Sequence, residues 1–367
     1  MFILQNEGKL FTSDYPKAMH DILGKYSLLL ATGEIHRKLK NVIISFINLT
    51  KSKPDFLHCA ENLSISILKS WKNCREVEFH KEVKIFTLSV MVNQLLSIKP
   101  EDPARLYVLQ DFLSYMKGFI SLPIPLPGTG YTNAIKARKR LSARVMGMIK
   151  EREREEEDMN NAIREEDFLD SIISNEDLNY EEKVSIVLDI LLGGFETSAT
   201  TLSLVVYFLA KSPNLLHKLK EEHAAIRAKK GDGELLNWED YQKMEFTQCV
   251  ISEALRCEYV IPKGWKVFPI FTAVHLDPSL HENPFEFNPM RWTDKAKMNK
   301  KTTAFGGGVR VCPGGELGKL QIAFFLHHLV LSYRWKIKSD EMPIAHPYVE
   351  FKRGMLLEIE PTKFLED

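Results

Sequence analysis

Apolar positions recur with helical period over most of the first 256 residues, whereas strand-like runs are confined to two later stretches, Tyr259 to Phe271 and Pro347 to Ile359. Both are rich in β-branched and aromatic residues, which predicts a mainly α fold with a small β lobe. Ser121-Leu-Pro-Ile-Pro-Leu-Pro-Gly-Thr-Gly130 interrupts the helical pattern. Its alternate prolines fix φ and remove backbone donors, so a loop is predicted there. A Lys- and Arg-rich helix follows from Asn133. Its continuation, Lys150 to Asp158, mixes charges at helical pair spacing and predicts a solvated face running into a mobile loop.

The stretch from Tyr180 to Ala210 predicts a long helix. Asn179 and Glu182 have capping-box spacing, and Ser212-Pro213 ends the segment while starting the next helix. Apolar residues from Val184 to Phe208 occupy every side of the helical wheel, so this helix is expected to be buried all round. No solenoid-length repeat is visible, and one domain over 1–367 is the simplest organisation.

Charge changes the picture by exclusion. Lys+Arg and Asp+Glu both total 49, so no global field draws the chain to nucleic acid, and a small neutral partner fits better. Cysteines at 59, 74, 249, 257 and 312 are odd in number and lack metal-finger spacing, which reads as reduced thiols. The opening apolar run of four residues, Met1 to Leu4, is too short for a signal peptide or a membrane span. Thr201 to Ala210 also falls short of the roughly 20 residues that a span needs.

The candidate chemistry centres on Phe305-Gly-Gly-Gly-Val-Arg-Val-Cys312-Pro-Gly314. So many glycines around one cysteine imply that something flat approaches the main chain closely. Gly315 to Leu331 reads as an apolar helix, so Cys312 precedes a helix N-terminus, and Arg310 is a nearby cation. Both favour a thiolate ligand. A structural cysteine in a glycine-rich turn is the bland alternative. In the same way, Glu253 and Arg256 alone would be a surface helix pair.

With these strings in place the chain resembles the cytochrome P450 superfamily, whose haem is held by a cysteine thiolate. The resemblance implies that Cys312 binds iron and that Phe305, Gly308, Arg310 and Gly314 cradle haem b. Glu253-Ala-Leu-Arg256 and Phe287-Asn-Pro-Met-Arg291-Trp are similar to the family segments whose Glu253, Arg256 and Arg291 form one buried network behind the haem. Gly193-Gly-Phe-Glu196-Thr197-Ser resembles its oxygen-activation motif. There Thr197 is implied to hydrogen-bond bound dioxygen and Glu196 to relay protons. The two glycines let the helical ladder open. The alternative is a Thr197 hydroxyl bonded back to the carbonyl four residues earlier. Gly33-Glu-Ile-His36-Arg-Lys-Leu-Lys40 resembles a propionate-binding helix, with His36 and Lys40 as ligands or, equally, as a solvated basic face.

Phe195-Glu-Thr-Ser-Ala-Thr-Thr201, Ile261-Pro-Lys-Gly-Trp-Lys-Val-Phe268 and Cys312-Pro-Gly-Gly-Glu-Leu-Gly-Lys319 are similar to the plant steroid-hydroxylating branch, the C-22 hydroxylases of brassinosteroid synthesis above all. That branch implies a sterol or steroid substrate, electrons from NADPH through a flavoprotein reductase, a monomer, and the cytosolic face of the endoplasmic reticulum membrane. Phe119, Ile120, Leu191, Phe195 and Leu356 either line such a pocket or pack a helical core. Two departures are expected to weaken activity. The chain starts without the family's anchor, which leaves the cytosol open as its location, and Arg256-Cys257 runs into Glu258-Tyr-Val-Ile-Pro262 where relatives carry a longer, strand-bearing stretch.

Overall fold

The computed structural model describes residues 13–99, 102–119, 121–158, 167–231, 233–257, 274–294, 302–338, 341–345 and 349–362, with Gln5 and Glu7. Tyr259 to Phe271, Ile120 and Met1 to Leu4 lie outside the described residues. The described elements begin with α1 (Lys17–Leu23), α2 (Gly33–Thr50), α3 (Pro54–Ser70), β1 (Glu76–Glu78) and α4 (Phe79–Leu96). Then come α5 (Ala104–Met116), α6 (Gly130–Asp158), α7 (Phe168–Ile173) and α8 (Tyr180–Ala210). After them follow α9 (Pro213–Arg227), α10 (Trp238–Lys243), α11 (Glu245–Arg256) and α12 (Gly315–Ser332), and last β2 (Tyr333–Ile337), β3 (Ile344–Ala345), β4 (Val349–Glu350) and β5 (Leu356–Pro361). The mainly α class with few, short strands is therefore present.

The chain forms two compact units, one from residues 1–50 and 88–195, the other from 51–87 and 196–367. In the first, α6 packs on α5 and α1. The rings of Phe112 and Phe195 meet edge to face at 5.7 Å, and those of Tyr115 and Phe119 at 5.0 Å. Phe119, Leu191 and Phe195 are buried here as core. Arg138 Nε donates to Leu23 O at 3.1 Å, packing its guanidinium against Gly24, whose φ of 81° favours glycine. The charge pattern predicts a solvated continuation of α6, but one residue of it is buried. Arg152 is buried and bonds Asp170 at 2.6 Å and also Asp167, because α7 closes its own capping box with those two carboxylates over it.

In the second unit α12 packs on α3 and α9. Trp71 meets Phe79, Phe325 and Tyr333 at centroid distances of 6.1, 6.3 and 5.8 Å. An antiparallel sheet of order β1-β5-β2 covers this cluster, with Val77 opposite Leu357 and Trp335 opposite Ile359 facing inward. The stretch Pro347 to Ile359 thus holds two strands, and Leu356, half-buried, pairs with Glu78.

Helix α8 starts at the expected box, since Glu182 N–H donates to Asn179 Oδ1 and Asn179 N–H to Glu182 Oε2, both at 3.0 Å. Two expectations for it fail. It runs unbroken through Gly193-Gly194, because a helix tolerates glycine where neighbours hold the backbone. Nor is it buried all round. Gly193 and Thr197, one turn apart on the least apolar stripe, are exposed. By length and composition α8 is apolar enough to cross a membrane, but 72% of its most apolar window is buried inside the protein.

Candidate functional site

Glu253 and Arg256 sit on the last turn of α11 with no exposed side-chain surface. Their spacing of three residues turns both inward on one helix face. Arg256 grips the carboxylate with two bonds of 2.8 Å, from Nε to Oε2 and from Nη2 to Oε1. Arg291 Nε and the Asn288 N–H reach Oε1, and Trp292 Nε1 reaches Oε2, each at 2.9 Å. The spare guanidinium hydrogens collect main-chain carbonyls. Arg256 takes those of His275, Pro284 and Glu286, while Arg291 takes those of Glu282, Asn283 and Glu286. A segment with little regular structure thereby satisfies its acceptors, the buried ones of His275 and Pro284 among them. Burial alone would lower the Arg256 pKa, but its bonds to Glu253 raise it. Cys257 Sγ lies 3.2 Å from Arg256 Nη2, and burial, then the Glu253 charge, pushes its thiol up to about 12.

The cysteine loop hangs from this network. Thr303 N–H donates to His275 Nε2 at 2.9 Å, and Gly306 N–H donates to Thr303 O at 2.8 Å. Cys312 N–H then closes the loop onto Phe305 O at 2.9 Å around a 3₁₀ turn at Gly308–Arg310. Gly306 and Gly308 have φ of 72° and 63°, a region that disfavours a Cβ. Gly314 caps α12, and Gly315 lies under the Phe305 ring, where a Cβ would come within 3.2 Å. Lys319 Nζ stands 5.3 Å from that ring's centre. Cys312 is exposed and precedes the N-terminus of α12, whose dipole favours negative sulfur. Arg310 is half-buried.

Glu196 and Thr197 belong to the same unit. Lys84 Nζ on α4 meets Glu196 Oε1 at 2.6 Å, and Thr201 Oγ1 donates to Thr197 O at 2.9 Å. A Cβ on Gly318 would lie 3.2 Å from Ser198 Oγ, so the helix that starts after Cys312 packs on α8 beside Thr197. In the first unit Gly194 packs so tightly on Met91 that a Cβ would come within 2.7 Å, whereas Gly193 faces open space. His36 and Lys40, one turn apart on α2, are buried in that unit and so do not form a solvated basic face.

The loop fits a flat apolar group ligated through sulfur. An exposed thiol is flanked by exposed Val309 and Val311, at 53% and 42%, on a backbone kept slim by glycine. Among the described residues no three His, Cys, Asp or Glu side chains converge on a metal. Sequence reasoning missed His275, Asn288, Trp292 and Lys84. The first three lie near motif strings, but Lys84 has no local signal at all.

The family model described as Cytochrome P450 matches residues 2–258 and 257–365, two stretches that meet at Cys257. A rice protein (Oryza sativa subsp. japonica) named Cytochrome P450 724B1 is 47% identical over 386 residues, covering 98% of this chain and 79% of that protein. Cholesterol 16,22-dihydroxylase CYP90G4 of Trigonella foenum-graecum is 39% identical over 382 residues, with coverage of 98% and 79%. Both alignments are longer than the 367-residue chain itself. A Steroid (22S)-hydroxylase of Brachypodium distachyon is 34% identical, covering 98% and 76%. Among solved structures, retinoic acid bound cyanobacterial CYP120A1 superimposes with a TM-score of 0.83 at 22% identity, covering 98% of this chain and 87% of that one, which speaks for the fold.

Proposed function

Because this chain belongs to the cytochrome P450 family of monooxygenases, we propose that it hydroxylates a plant sterol or steroid, on the side chain and within brassinosteroid synthesis, with Cys312 as the thiolate that would hold the iron of haem b. The observation that carries the reading is the exposed Cys312 on a glycine-rich loop at the start of α12, braced by the Glu253, Arg256 and Arg291 network. Relatives named for hydroxylation of cholesterol at carbon 22 support the substrate class.

In this reading Phe305, Gly308 and Gly314 shape the bed, and Arg310 would neutralise a propionate. The haem, once bound, supplies the oxygen chemistry, with electrons from NADPH through a flavoprotein reductase. Thr197 offers a hydroxyl at the exposed stripe of α8, where it can hold a proton in reach of the reacting oxygen. Glu196 accepts a bond from Lys84 and passes protons inward from solvent. The glycine bed and the apolar valines exclude water from the sulfur side.

The test is a carbon monoxide difference spectrum of reduced, haem-loaded protein. The wild type and Cys59, Cys74 or Cys257 alanine variants should give a thiolate-type band, and Cys312→Ala should not. A thiolate-type band retained by Cys312→Ala would refute the assignment.

One observation favours a second reading, a family member that holds haem poorly and does not turn over. The family model matches in two stretches that overlap at 257–258, which we read as a segment shorter there than the family's, and a lost pocket wall would remove the orientation that brings substrate within about 3–3.5 Å of the reacting centre. Turnover that appears only after a relative's stretch is inserted behind Cys257 supports this reading. Equal turnover by the unmodified chain rules it out.

A further inference from the structure

The geometry points to His275 as a positioning residue that couples the buried Glu253–Arg256–Arg291 network to the cysteine loop. Its main chain and its side chain face opposite partners. The carbonyl accepts Arg256 Nη1 at 2.8 Å, while Nε2 accepts the Thr303 N–H at 2.9 Å. From Thr303 the bond from Gly306 N–H opens the loop, and the bond from Cys312 N–H to Phe305 O closes it. Four consecutive bonds thus lead from the Glu253 carboxylate to the turn that presents the thiol.

The side chain suits that task. At 2% exposure the ring cannot swing to solvent. Facing an N–H, Nε2 must be unprotonated, so the ring proton sits on Nδ1, which finds no hydrogen-bond partner among the described residues. Burial, then the charges of His281 and Arg256, hold the imidazole pKa down to about 4, which keeps the ring neutral and the acceptor available. An apolar ring of similar size would fill the same space and leave the Thr303 N–H without its acceptor. That difference separates coupling from mere packing.

The experiment compares the full chain with His275→Phe and His275→Gln, because the Gln carbonyl reaches as far as Nε2 and can accept the same N–H. Amide exchange of the haem-free protein at Thr303, Gly306 and Cys312 is read first. His275→Phe should speed it roughly three- to tenfold, the loss of one net hydrogen bond, and His275→Gln should restore it. In haem-loaded protein the share of the reduced carbonyl complex with a thiolate-type band should fall in His275→Phe and recover in His275→Gln. Thr303→Pro deletes the same N–H from the other side and should reproduce the loop exchange of His275→Phe. If His275→Phe does not fold, the contrast of Thr303→Pro with His275→Gln carries the same comparison. Wild-type exchange and spectrum in His275→Phe would overturn the proposal, as would a His275→Gln protein as perturbed as His275→Phe at equal stability. The exchange measurement does not depend on haem. A wild type without a thiolate-type band would therefore remove the Cys312 assignment alone.

Discussion

Glu253 and Glu196 are carboxylates of the same compact unit, both paired with a long basic side chain, and they are held very differently. Glu253 has no exposed surface and five donors from four residues, Arg256, Arg291, Asn288 and Trp292. Glu196 keeps 14% of its side chain exposed and meets Lys84, itself 25% exposed. A charge with every lone pair taken and no water nearby has nowhere to move and serves architecture. One whose ion-pair partner among the described residues is a partly exposed lysine keeps a path to solvent, the arrangement that a proton relay would need.

The largest effect should come from breaking the first arrangement. Arg256→Ala leaves Glu253 buried with three of its five donors and strips carbonyls of His275, Pro284 and Glu286 of theirs. A loss of about 3–5 kcal/mol in urea unfolding is expected, with the cysteine loop loosened in consequence. Arg256→Lys should recover only part of it, since an ammonium lacks the planar fork. A loss below about 1 kcal/mol in Arg256→Ala would place Glu253 in the class of Glu196.

A third carboxylate sharpens the contrast from the other unit. Asp189 on α8 accepts the Ser27 hydroxyl at 2.7 Å and the Leu28 N–H at 2.6 Å. With two neutral donors in place of guanidiniums, burial wins. Its pKa is pushed up to about 7, against the pull of those bonds and of Arg138. The folded state then keeps a proton that the unfolded chain releases near 3.8. Between these values the native protein binds more protons, so stability falls as pH rises through the window, and the full cost is present above about 7. Up to about 4 kcal/mol is at stake between the ends of the window. Asp189→Asn should flatten that part of the slope in unfolding measured at pH 5 and 7.5. An unchanged slope would mean that Asp189 is ionised and solvated.

How much of this was legible in the sequence depends on the reach of each interaction. Asn179 with Glu182 and the proline loop at 121–130 are local, and both are present as read. The strings around Glu253, Arg291 and Cys312 carry their own spacing, so their members could be named in advance. Lys84 with Glu196 and Ser27 with Asp189 join positions far apart in the chain, and no periodicity announces them. The helical wheel of α8 misled for a related reason. It registers apolar residues on every side but not which side finds a neighbour, and the stripe of Gly193 and Thr197 finds open space on the glycine. Arg152, placed among solvated charges, is instead covered by two aspartates from the helix that follows.

The smallest structural effect, and the most informative about chemistry, should come from Lys84→Gln. A partly exposed ion pair is worth about 0.2–1 kcal/mol, so unfolding and haem binding should stay close to wild type. What changes is the hold on Glu196. Without the ammonium at 2.6 Å its carboxylate loses the partner that keeps it directed along α8 beside Thr197. If Glu196 passes protons, delivery should become less regular, and a larger share of NADPH electrons should end as peroxide in place of hydroxylated product. Glu196→Gln should shift the balance the same way and further, because an amide cannot carry the proton at all. Lys84→Gln with unaltered coupling of NADPH to product would reduce the pair to a surface contact. A loss of several kcal/mol would instead show that Glu196, like Glu253, is held for the fold.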